Sequence, residues 1–90
     1  MEIMAHELTH IWQYSNLQTA KMSTEDKEGH TSYVEVEYLR NHGYANLASR
    51  QENSLRHRDD EYGRGFVKLD SIMKQREDKN PFHCMKELFG

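Results

Sequence analysis

Wound as a helix, the opening segment from Met1 to Leu17 is apolar on two sides at once. At about 100° per residue, Met1, Met4, Ala5, Leu8, Ile11 and Trp12 share one broad face. His6, His10 and Leu17 fall on a different face, with Ile3, Glu7 and Tyr14 at its edge. Glu2, Thr9 and Gln13 form the polar strip that remains. A helix apolar on two sides is ordinarily buried on two sides. The later residues can cover one side, and little of a 90-residue chain is left for the other. The pattern therefore predicts a missing layer, supplied by a segment ahead of Met1 or by another chain, so that an oligomer or a further domain covers the opening helix. No capping residue precedes this helix to satisfy its first amides.

The remaining residues read as further helices with polar connectors. Gln18 to Met22 is a loop, and Ser23 with Asp26 resembles a capping box opening a second helix that runs to about Asn41. Gly43 suits the left-handed residue beyond its end. A third helix spans Tyr44 to Arg56, and Asp59 or Asp60 caps a fourth through Tyr62, Phe66, Leu69, Ile72 and Met73. Asn80-Pro81, a cap followed by proline at the first helical position, opens a short last helix. Nothing reads as a strand, so the expected fold is mainly α, one domain over residues 1–90.

Composition narrows the function. A net charge of −3 gives no electrostatic reason to expect nucleic acid or an anionic membrane as partner. No apolar run reaches membrane-spanning length, and the start MEIMAHELTH lacks the basic and apolar regions of a leader. Cys84 is the single cysteine and reads as a small buried or half-buried thiol; with no intramolecular disulfide available, a reducing, cytoplasmic setting is expected.

The chemistry is concentrated in His6-Glu7-Leu8-Thr9-His10, an H-E-x-x-H pattern. Histidines four apart project from one helix face, and their imidazoles can converge on a single ion at about 2.0–2.1 Å. Glu7 flanks that position, where a carboxylate can take a proton from a water activated by zinc. A catalytic zinc requires a third protein ligand. Glu28, 18 residues after His10 in the first turns of the second helix, is the leading candidate, with Glu25 as the alternative. Gly29 beside it permits close helix approach, and the short loop makes the first two helices antiparallel neighbours. Tyr62, His42 and His57 are the available donors to a developing oxyanion. His30 and His83 read as surface residues, and the run Arg56 to Glu61 as a solvated helix end.

Ala5 to Gln13, then Glu28-Gly29 and the aromatic-rich Tyr33 to Tyr38, resemble the gluzincin clan of zinc peptidases, which includes thermolysin and zinc aminopeptidases. A nearer likeness is to the peptidase domain of plant LIM-domain-containing proteins that limit organ size, and to bacterial relatives. The tryptophan after the second histidine and the segment Tyr62-Gly-Arg-Gly-Phe66 carry it. The resemblance spans about residues 4 to 75 and implies the helical C-terminal part of a zincin-like domain. It implies His6, His10 and Glu28 as zinc ligands, Glu7 as general base and Tyr62 as a second catalytic group. Thermolysin-like enzymes place an aspartate four residues after the ligand glutamate to support a ligand histidine; Ser32 stands there, and Glu35, a turn further along the same face, is the substitute. LIM cysteines are absent, and the substrate-binding edge strand of such enzymes lies ahead of the H-E-x-x-H helix. Two functions are thus expected: a zinc-dependent peptidase acting on a peptide or protein, or a truncated or divergent remnant that binds zinc without turnover and serves as an interaction module.

Overall fold

The structure, a computed structural model, describes residues 2–90, with side chains described from His6 onward. The facing of Met1, Glu2, Ile3, Met4 and Ala5 expected from the wheel lies outside the described residues. The fold is mainly helical. Five α-helices are present among the described residues: α1 Glu2–Asn16, α2 Thr24–Asn41, α3 Ala45–Arg56, α4 Glu61–Lys74 and α5 Pro81–Phe89. A 3-10 turn, Thr19–Lys21, lies inside the loop between α1 and α2.

Local chemistry sets the helix ends where the sequence predicts them. Ser23 Oγ accepts the Asp26 amide at 3.0 Å, and Asp26 Oδ2 accepts the Ser23 amide at 3.1 Å, closing the capping box. Asp60, rather than Asp59, caps α4 by accepting the Gly63 amide at 3.0 Å. Asn80 accepts the Phe82 amide at 2.9 Å ahead of α5. Gly43 has φ +86°, which lets the chain turn left-handed after α2.

Helix α2 is the axis of the bundle, packing against α1, α3, α4 and α5. One apolar cluster joins Leu17, Met22, Leu69, Met73, Cys84 and Met85 below α2. A second joins Val36, Leu39, Ala48, Leu55 and Phe66 between α2, α3 and α4, with half-buried Tyr33 touching both. The closest crossing is α2 on α4: a Cβ on Gly29 would overlap the Gly65 backbone. The close approach expected of Gly29 is therefore made to α4, not to α1. The chain end is drawn back to the first loop, where the Gln18 amide donates to Phe89 O at 2.7 Å.

Helix α1 corrects the wheel. Its inward face carries Thr9 and Gln13, which are buried, together with Leu17. Leu8 and Ile11 are 58% and 60% exposed. Thr9 and Gln13 of the polar strip are thus buried, and part of the expected apolar face is bare. The reason lies in the partner surface: α2 offers Lys27 O, His30 and Glu35 to α1. A polar side chain with such hydrogen-bond partners is tolerated inside.

Candidate metal centre

Pairing between α1 and α2 runs antiparallel, residue by residue. Gln13 meets Lys27 and His30, His10 meets Glu28, and His6 meets Glu35. Both histidines stand one helical turn apart and project towards α2, their rings edge-to-face with centroids 4.8 Å apart. His6 Nε2 and His10 Nε2 are 3.2 Å apart. Glu28 Oε1 lies 3.0 Å from His10 Nε2, and Glu28 Oε2 lies 3.8 Å from His6 Nε2. One ligand atom from each of the three residues falls within 4.8 Å of the other two. The side chains of His6 and His10 are about a quarter exposed and Glu28 less so, so the cluster sits at the floor of an open surface.

Hydrogen bonds behind the rings decide what these atoms present. His6 Nδ1 is 2.7 Å from Glu35 Oε1. A carboxylate only accepts, so His6 Nδ1 carries a proton, and in the neutral ring the lone pair is then on Nε2. Glu35 is itself held by Gln51 Nε2, which donates to Oε2 at 2.9 Å from α3. On the other ring, His10 Nδ1 lies 3.1 Å from Gln13 Oε1 and donates to it. In the neutral rings both Nε2 lone pairs therefore face each other and the Glu28 carboxylate. Buried Glu28 Oε2 has no hydrogen-bond partner.

Three acceptors aimed at one point repel unless a cation stands between them. Ligands at zinc's 2.0–2.1 Å in a tetrahedron are about 3.3 Å apart; the separations here are 3.2 Å and 3.0 Å, with 3.8 Å between His6 Nε2 and Glu28 Oε2. Two neutral imidazoles and a carboxylate, each imidazole backed by an acceptor at Nδ1, form a donor set suited to zinc. The residues fit the ion.

Among the other site residues expected from sequence, Tyr62 belongs to this neighbourhood. Its hydroxyl faces the Glu28 carboxylate; hydrogen bonding to that group, then its negative charge, raises the phenol's pKa. Arg58 stacks over the same ring at 5.0 Å. Glu7 is exposed, next to His6 on α1. Glu25, the alternative ligand, stands outside the cluster with Arg64 Nε at 3.9 Å. His42 and His57 are elsewhere: each ring Nδ1 donates to the carbonyl four residues back, Tyr38 O and Asn53 O, both at 2.8 Å. They close the ends of α2 and α3. Cys84 is fully buried and His83 exposed, as expected.

His30 corrects the sequence reading. It is fully buried, not on the surface. Its ring lies edge-on to Trp12 and Phe82, and burial lowers its pKa to about 4. Gln13 and His30 are the residues that sequence reasoning passed over. One signal was present: on the wheel Leu17 lies between the two histidines and Gln13 falls beside His6, on the face that packs.

No protein-family model matches this chain, and no curated protein or solved structure matches it either.

Proposed function

We propose that this chain provides the metal centre of a zinc-dependent peptidase of the gluzincin type. The observation that carries the reading is the convergence of His6 Nε2, His10 Nε2 and the Glu28 carboxylate on one point. In this reading His6, His10 and Glu28 hold the ion, and zinc when bound supplies Lewis acidity towards a carbonyl and towards water. Glu7, exposed beside the ligands, accepts a proton from water and passes it to the departing amine. Tyr62, its hydroxyl at the Glu28 carboxylate, donates to oxyanion charge as it develops. Glu35 and Gln51 keep the His6 ring fixed. The substrate class is a peptide or protein, approaching from the open side where the imidazoles are exposed.

A second reading has its own support. Leu8 and Ile11 on α1 are more than half exposed, an apolar surface on the helix that carries both histidines. A centre of this kind that holds zinc without turnover is then an interaction module, not an enzyme.

Zinc content and peptide hydrolysis separate these. Purified protein is expected to hold one zinc per chain, and Glu28→Ala to lose it. Glu7→Gln is expected to retain the metal and lose hydrolysis by at least about 100-fold. Stoichiometric zinc with no hydrolysis by the unmodified chain selects the module. Zinc content that is unchanged by Glu28→Ala removes the centre itself.

A further inference from the structure

We propose that Gln13 is a positioning residue which selects the nitrogen that His10 offers to a metal, taking its own orientation from the Lys27 carbonyl and His30. The inference rests on the zinc reading of the cluster and adds a group outside the ligand set.

The two ends of the Gln13 side-chain amide are chemically opposite. The side chain is fully buried, so each end needs a partner. Gln13 Nε2 lies 3.1 Å from Lys27 O and 2.9 Å from His30 Nδ1. A backbone carbonyl cannot donate, so the amide NH2 must face Lys27. Its second hydrogen goes to His30 Nδ1, which accepts. Both Nε2 hydrogens are then used, and Oε1 is left facing His10 Nδ1 at 3.1 Å.

That contact allows one arrangement of the ring. Gln13 Oε1 accepts, so the His10 proton sits on Nδ1 and the lone pair sits on Nε2, at the cluster. A reversed amide would put an NH2 against His10 Nδ1. The imidazole proton would move to Nε2, and the ring would lose its place as a ligand. Glu35 performs the corresponding task for His6, but a carboxylate has no wrong way round. His10 depends on an amide, and the amide depends on Lys27 and His30. The same logic assigns His30: its Nδ1 accepts, so its proton is on Nε2, the buried atom without a hydrogen-bond partner. That N–H lies within an aromatic cluster formed by Trp12 and Phe82.

Long-range 1H–15N correlation spectra of the metal-free protein, recorded above the imidazole titration range, read the tautomers directly. The expected result is His10 protonated on Nδ1 and His30 on Nε2. Gln13→Met keeps the side-chain length but removes the acceptor. It is expected to populate the Nε2-protonated form of His10 and weaken zinc binding by roughly 10–100-fold. Gln13→Glu, held as the acid so that its O–H donates to Lys27 O, keeps a carbonyl oxygen at His10 Nδ1 and is expected to recover the His10 tautomer and part of the affinity, which a packing role alone would not produce. If Gln13→Met does not fold, the unmodified spectra and Gln13→Glu still decide. His10 protonated on Nε2 in the unmodified protein overturns the inference. So does a folded Gln13→Met with the original tautomer and zinc affinity within about threefold. Tautomers that follow Gln13 in a chain that binds no zinc support this assignment and overturn the zinc reading, so the two failures are distinguishable.

Discussion

His30 shows how much one side chain's surroundings alter its chemistry. In the unfolded chain its imidazole takes a proton near pH 6.5; in the fold, burial lowers that to about 4. As pH falls below 6.5 the unfolded state therefore binds a proton that the folded state refuses. The stability associated with neutral His30 is complete above pH 6.5 and is lost between 6.5 and about 4. A tenfold difference in proton affinity between the two states is worth about 1.4 kcal/mol, so the loss is on the order of 3 kcal/mol. Urea unfolding of the metal-free protein across that window is expected to record it, with the His30 ring resonance still unprotonated at about pH 5. A ring that titrates near its ordinary value in the folded protein contradicts the buried placement. Nothing local in the sequence signals this burial. His30 sits among Gly29, Thr31 and Ser32, and its cover comes from Trp12 on α1 and Phe82 on α5. The pairing of His6 with His10, by contrast, is legible from spacing alone, because a four-residue step puts two rings on one face of any helix.

Elements position the site through one close crossing. Gly29 and Gly65 bring α2 and α4 together backbone to backbone, and Gly29 adjoins Glu28. A Cβ at Gly65 would overlap Glu25 O and the Gly29 backbone, neither of which can rotate away. Gly65→Ala is expected to cost about 3 kcal/mol or more, and to reduce zinc affinity as α2 shifts. Gly43→Ala is the contrast. Its φ of +86° strains an alanine, but nothing lies within 4 Å of the added carbon. Its expected cost is about 1–2 kcal/mol, with zinc affinity unchanged. Urea midpoints and zinc titrations of the two variants check this, and equal effects on zinc would separate the crossing from the site. The caps at Ser23, Asp60 and Asn80 were readable because each needs only its next two or three residues. The identity of the helix across from Gly29 was not, because a small residue announces an approach without naming its partner.

Across the whole molecule, the Cα radius of gyration is 12.3 Å, matching the roughly 12 Å expected of a compact domain of this length. The bundle closes on itself even with Leu8 and Ile11 exposed on α1. No helix among the described residues is long and apolar enough to cross a membrane. In the proposed centre the ligands come from α1 and α2, so metal binding would tie the opening helix to the axis of the bundle. Zinc at about 100 times its dissociation constant is expected to add about 2.7 kcal/mol. In a domain of this size that raises the melting temperature by roughly 10–20 °C. Glu28→Gln is expected to melt at the same temperature with and without zinc, since an amide is a poor zinc ligand and its NH2 gives the facing lone pairs a donor. A zinc-induced rise that persists in Glu28→Gln would mean the ion binds elsewhere.

The helices, their caps and the shared face of His6 and His10 follow from residue order alone, because backbone hydrogen bonds and the angular step of a helix are local quantities. Other features exist only once the helices have packed: the inward side of α1, the burial of His30, the meeting of Gly29 with Gly65, and the places of Glu35 and Gln13 behind the two imidazoles. Each of those outcomes depends on atoms brought together from distant parts of the chain. The polar face of α1 packs because α2 meets it with Lys27 O, His30 and Glu35, a match between two surfaces that neither helix reveals alone.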